Sequence, residues 1–373
     1  MSVCLACSGL ASAAPNTPPK EFPPYPTKGW TPYPGGCEKS RERALWKLKA
    51  YTFPAELEKH EKLKGRRSTA LIIIKNGYLF HEQYARWVRA DTKQNLYEMT
   101  EGVVNALVGI AVRERRLRLD DSICKGSISQ KCNIKIDHLL THTSGISWRE
   151  VDLAQGSHTG SDTMQMFYGK GAGNPAEYVL EQDQEEFPGQ MWVFNPGDST
   201  LLMAVLKEVY GAVYQDLPWK LLFYPLGIQD VTWEQDPQGL FYGARDLYMN
   251  ASDLAKIGYL YLRGGKWEHF SLFVDSWVPY TSTPTKAFQW GRVKRMRRQV
   301  GGALWWLNKP IEQARFNKPY KNAPASTLIL QGQGGQVLCV LPEYDTVVVR
   351  FGDTRDGSFD VDTFLDLVIK LVV

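Results

Sequence analysis

Apolar positions at the two ends of the chain keep a different rhythm from those in its middle. Thr69-Ala70-Leu71-Ile72-Ile73-Ile74 runs into Lys75-Asn76-Gly77, and Tyr78-Leu79-Phe80 resumes the apolar pattern. β-Rich runs around an Asn-Gly pair predict a hairpin. The C-terminal part repeats the motif: Gln336-Val337-Leu338-Cys339-Val340-Leu341, a turn at Pro342-Glu343-Tyr344-Asp345, then Thr346-Val347-Val348-Val349-Arg350-Phe351. An amphipathic helix is predicted over 359–371, and charge alternates with apolar groups at helical spacing over 41–63. From about Glu98 to Arg116 the spacing is helical, and helix signals dominate to about Leu262. Strands at both ends around a helical middle predict an α/β (α+β) fold. Its antiparallel sheet is flanked by helices and formed from both chain ends, with an all-helical subdomain inserted. The expected division is 41–97 with 266–373 for the sheet subdomain and 98–265 for the helical one. Pro15 to Gly36 is rich in Pro, Gly and Tyr, so 15–40 reads as an extended arm.

Composition narrows the class. With 43% hydrophobic and 23% charged residues among 373, the chain can bury a large core, which excludes a mainly disordered protein. A net charge of +4, dispersed along the chain, gives no reason to expect nucleic acid. The longest informative apolar run, Val103 to Val112, is half the roughly 20 residues a membrane helix needs, so no transmembrane span is expected. Residues 1–19 lack charged side chains, and Ala11-Ser12-Ala13-Ala14 resembles the end of a secretory signal over 1–14. Export to the periplasm or the extracellular space follows as an expectation. Outside that segment stand Cys37, Cys124, Cys132 and Cys339. Cys124 and Cys132 bracket a short polar loop and could close it as a disulfide; the alternative is four unrelated thiols. No cysteine spacing suits zinc, and neither a metal nor a cofactor is expected.

Several segments together resemble the serine hydrolases of the penicillin-recognising fold: class C β-lactamases, D-alanyl-D-alanine carboxypeptidases, related esterases and nylon-oligomer hydrolases. Ile136-Asp137-His138-Leu139-Leu140-Thr141-His142-Thr143-Ser144-Gly145-Ile146 is close to a family hallmark. Ala106 to Val112 matches the body of the family's nucleophile helix, and Leu119-Asp120-Asp121 its exit. Pro196-Gly197-Asp198-Ser199-Thr200-Leu201-Leu202, Asn250 to Gly258, Trp305-Trp306-Leu307-Asn308 and Gly332-Gln333-Gly334-Gly335-Gln336 follow in the right order. The likeness spans about 40–370 and implies the β-lactamase/transpeptidase-like fold.

The same resemblance implies chemistry that the residues do not carry. The family attacks amides or esters with a helix-N-terminal serine, steered by a lysine three residues on. Aligning the helix places Glu98 at the serine position and Glu101 at the lysine position. The proton-shuttling tyrosine position is Phe194, followed by Asn195, and the edge-strand Lys or His position is Gln333. Four departures from one charge-moving set predict a catalytically degenerate member. Exchanging Ser and Lys for two carboxylates also shifts the local charge by about −3, which disfavours substrates that bring their own carboxylate. Three roles are open for the glutamates. They are favourable first-turn residues; or Glu98 plugs an oxyanion hole made by the N–H groups of Glu98 and Gln336; or the two work as an acid/base pair. The expected cleft is lined by Glu98, Glu101, Phe194, Asn195, Gln333, Gly334, Gly335 and Gln336.

Other motifs rank lower. Ser122-Ile123-Cys124-Lys125 is a literal S-x-x-K placed in a loop, Tyr248-Met249-Asn250 is a chance Y-x-N, and Ser144 lies in the hallmark segment. His138 and His142, four apart without a zincin glutamate, are expected to pack against helices. Arg292, Lys294, Arg295, Arg297 and Arg298 put five cations into seven residues, either a solvated loop or a grip for an anionic surface. The sequence therefore predicts a degenerate member of this family that is binding or regulatory at the cell envelope, with a cell-wall peptide or a partner protein as ligand. The alternative is an active hydrolase of amide, ester or glycosidic bonds using Glu98 and Glu101 or a non-standard nucleophile.

Overall fold

The computed structural model describes residues 23–35, 39–54, 65–150, 160–293 and 299–373. The signal-like segment, Cys37, and Lys294, Arg295, Arg297 and Arg298 lie outside them. The helix-like pattern of 41–63 becomes α1, Lys39–Thr52, as far as the described residues go. The hairpin predicted around Asn76-Gly77 forms as β1 (Ser68–Lys75) and β2 (Tyr78–Tyr84), with Asn76 and Gly77 both at positive φ, 52° and 79°. Helices α2 (Thr100–Arg113), α3 (Ile136–Leu140), α4 (Asp162–Tyr168) and α5 (Pro196–Tyr210) occupy the middle, and α6 (Ala251–Leu262) follows. The chain then supplies β3 (Val300–Gly301), β4 (Trp306–Leu307), β5 (Leu328–Gly332), β6 (Gln336–Leu341) and β7 (Thr346–Gly352), and ends in α7 (Val361–Val372). All seven strands pair antiparallel in one sheet of order β2-β1-β7-β6-β5-β4-β3, so both chain ends build it.

The uninterrupted apolar runs are explained by burial of both sheet faces. Alternate side chains of β1 divide between two cores. Ile72 and Ile74 join the larger core with Leu338, Val340, Val347 and Val349. Leu71 and Ile73 join a smaller one with Val337, Cys339, Val348 and the inner faces of α1 and α7. Helix α6 lies on the larger-core face and touches β7, β6 and β1. Cys124 and Cys132 form a disulfide, while Cys339 is a free, buried thiol in β6. No described helix is long and apolar enough to cross a membrane.

Helix α2 sets the position of the cleft. Gly102 faces Leu330 of β5 so closely that a Cβ would stand 2.3 Å from Leu330 Cδ1. Its Asn105 side chain is buried and donates to the Ala303 carbonyl at 2.9 Å while accepting from Trp277 Nε1 at 3.0 Å. The start of α2 is thereby fixed against the edge of the sheet. At the opposite face, Phe364 of α7 is wholly buried in the smaller core. Phe364→Ala should lower unfolding stability by about 3–5 kcal/mol, read as a fall in urea midpoint at unchanged slope.

Candidate functional site

Helix α2 opens with Glu101 in its first turn, and that carboxylate is buried against polar groups from two other segments. His142, just beyond α3, places Nε2 3.6 Å from Glu101 Oε2 and Nδ1 3.6 Å from Asp198 Oδ2 in α5. These distances are too long for hydrogen bonds but well within ion-pair range. Ser199 Oγ stands 3.0 Å from Glu101 Oε1 and 2.9 Å from the Pro196 carbonyl oxygen. His142 and Asp198 are fully enclosed, and so is Ser199. Burial alone would lower the imidazole pKa, but Glu101 and Asp198 outweigh it and raise His142 to about 9. Asp198 is pushed up to about 6 by burial, against the attraction of His142. At neutral pH the cluster is an imidazolium clamped by carboxylates. The Phe194 ring closes it from one side, edge to face with His142 at 5.3 Å and 5.7 Å from Trp306.

Glu98 sits in a single 3₁₀ turn, Tyr97–Met99, that leads into α2. Its Oε2 accepts from the Gln333 N–H at 3.0 Å, and its own N–H reaches the same carboxylate. Burial raises this carboxyl to about 7, with Glu101 adding to the rise, while Arg245 and the two N–H groups oppose it. The Gln333 N–H is aimed by the turn between β5 and β6, where Gly334 and Gly335 take φ of 74° and 73°. Arg350 in β7 holds that turn. Its Nη1 donates to the Gly334 and Gly335 carbonyls at 3.0 and 2.7 Å, its Nε to Ser68 Oγ at 2.9 Å and its Nη2 to Thr354 Oγ1 at 2.8 Å. A small pocket bounded by Glu98, Glu101, His142, Trp192 and Trp306 lies over this floor, with room for about one water.

Residues 55–369 match the family model described as Beta-lactamase. The chain belongs to the beta-lactamase family. Among solved structures it is similar to EstCE1, a hydrolase with promiscuous acyltransferase activity, at TM-score 0.66 and 15% identity over 90% of this chain and 99% of that one. A family VIII carboxylesterase superposes with TM-score 0.65 and 13% identity, covering 90% of this chain and 97% of the other. The penicillin binding protein from Bacillus halodurans gives 0.58 and 14%, covering 89% and 100%. At such identities these likenesses speak for the fold. No curated protein matches the chain.

Within this beta-lactamase family member, Glu98 and Glu101 line the small pocket, Phe194 packs on His142, and Gln333 meets Glu98 through its N–H. Two of the expected lining residues are committed elsewhere. Asn195 is buried as the N-cap of α5, accepting from Gly197 N–H at 2.8 Å and donating to Asp198 Oδ1 at 3.3 Å. Gln336 is buried, and its Nε2 donates to the Asn95 carbonyl at 3.1 Å. The N–H on the Glu98 carboxylate belongs to Gln333 in the glycine turn, rather than to the expected Gln336, which stands at the start of β6. His142 is also more than a packing residue, since it is the cation of the buried cluster. The signal for it was present: a carboxylate at the lysine position calls for a nearby cation, and both hallmark segments carry its partners, His142 and Asp198. Arg292 is exposed and donates to Gln190 Oε1. No group of three or more His, Cys, Asp or Glu suited to a metal occurs among the described residues.

Because His142 is raised from 6.5 to about 9 on folding, its pairing contributes fully below about pH 6.5 and fades as pH rises through 9. His142→Asn should cost about 3–5 kcal/mol at neutral pH by leaving buried carboxylates without their cation. It should also abolish the alkaline loss of stability in urea melts taken from pH 6 to 10, the range that brackets the shift.

Proposed function

We propose that this chain is a non-acylating member of its family, a pseudoenzyme whose cleft serves as a binding or regulatory surface at the cell envelope. A cell-wall peptide or a partner protein is the ligand class the family resemblance suggests. One observation carries this reading: the Glu98 carboxylate already occupies the Gln333 N–H. Acyl transfer needs such donors free for a developing oxyanion, and a nucleophile beside them. Here the Glu98 carboxyl stands in both places. The hydroxyl of Ser199, beside Glu101, is fully buried and spent on Glu101 and the Pro196 carbonyl oxygen. Phe194 offers no proton to move. The Cys124–Cys132 disulfide supports export, since such bonds persist in oxidising compartments.

A second reading has one observation in its favour. A Glu98 carboxyl raised to about 7 keeps a protonated fraction near neutrality and could act as a general acid on an amide, ester or glycosidic bond. Glu101, its expected partner, is engaged by His142 and Ser199, which weighs against this role. Intact-mass spectrometry after exposure to a fluorophosphonate and a penicillin separates the possibilities. The native protein should gain no adduct. A stoichiometric adduct on a serine would refute the proposal, and turnover abolished by Glu98→Gln would establish the second reading.

A further inference from the structure

A second cavity, of about 360 Å³, opens on the other side of the Glu98 turn and shares no lining residue with the pocket over Glu101. Its size falls within the usual range for small-molecule sites. The walls are aromatic: Tyr97, Phe167, Tyr168, Tyr242 and Tyr248. Tyr242 and Phe167 meet edge to face with centroids 5.3 Å apart. Two residues of the wall, Tyr97 and Asp246, hold left-handed backbone at φ 48° and 58°, a conformation that side chains other than glycine avoid and that clusters at binding sites.

The charges decide what such a cavity takes. Arg245, its cation, is already neutralised: Nε lies 2.8 Å from Asp246 Oδ2, and the guanidinium stacks 4.7 Å over Tyr168 and 5.2 Å over Phe167. Asp246 Oδ1 accepts from Asn95 Nδ2 at 2.7 Å. Glu234 is exposed at the rim and has no salt bridge to a cation among the described residues. Burial raises the phenols of Tyr242 and Tyr248, and the carboxylates of Asp246 and Glu234 raise both further. The free surface is therefore negative and faced with phenol rings. Ring faces and a carboxylate without a salt bridge among the described residues together favour a cation.

We propose that this cavity binds a small organic ammonium ion, held over Tyr242 and Tyr248 with Glu234 as counter-ion. The inference goes beyond the reading of the cleft, since the cavity is a separate site with no lining residue in common with the pocket over Glu101. Titration calorimetry of the full chain at low salt, with choline and its neutral isostere 3,3-dimethylbutan-1-ol, tests it. Choline should bind at least about fivefold tighter than the alcohol, and Glu234→Gln and Tyr242→Ala should each weaken choline by a similar factor while the far-ultraviolet circular dichroism is unchanged. Equal binding of the two compounds, absence of a saturable choline signal, or choline affinity unaffected by Glu234→Gln would overturn the proposal. Any of these failures leaves the non-acylating reading intact, because that reading is decided by covalent adducts.

Discussion

A buried imidazolium between carboxylates is the interaction on which the cleft depends. Isolated buried charges are costly, and Glu101 at the head of α2 would be untenable without a cation within a few ångströms. His142 supplies it at 3.6 Å and is held in turn by Asp198 at 3.6 Å. The three residues come from the first turn of α2, the bend after α3 and the first turn of α5, so one charge cluster ties three segments together. Ser199, one residue past Asp198, turns its hydroxyl toward the same carboxylate. The sign of the charge in the helix's first turn is negative, and the surrounding shell is arranged to match it.

A second constraint acts from the sheet. Arg350 is buried without a carboxylate hydrogen-bond partner and meets carbonyls, hydroxyls and the Phe359 ring, 4.1 Å from its guanidinium. Burial lowers its pKa to about 9, yet it remains a cation at neutral pH. Its bonds to Gly334 and Gly335 fix the turn that presents the Gln333 N–H to Glu98. Rigid sheet edge and helix start thus meet across one carboxylate. On the proposed reading this carboxylate closes the site to an incoming acyl group, and the larger aromatic cavity beside Tyr97 is a separate space.

The sheet was legible because its strands bury both faces and are bounded by unambiguous turns at Asn76-Gly77 and Pro342 to Asp345. The register that brings β1 against β7 could not be read from periodicity, since it joins residues nearly three hundred positions apart. Glu98, Glu101, Phe194 and Gln333 are assigned from the order of the family segments alone. The four-residue spacing of His138 and His142 suggests one helical face, whereas α3 ends at Leu140 and His142 turns away with φ of 52°. Periodicity does not reveal where β5 yields to the glycine turn, and so does not single out the Gln333 N–H over that of Gln336. The aromatic cavity is not legible in the sequence: its walls come from four separate segments that only the tertiary fold assembles.

The charge state of His142 tests the account most directly. Nitrogen-15 NMR of the imidazole distinguishes the doubly protonated ring from either neutral tautomer and can be followed against pH. A ring that stays doubly protonated at pH 7 and titrates near 9 is the predicted result. A neutral, singly protonated imidazole at pH 7 would contradict the central claim, because Glu101 would then lack its cation and the arrangement of the cleft would need another explanation.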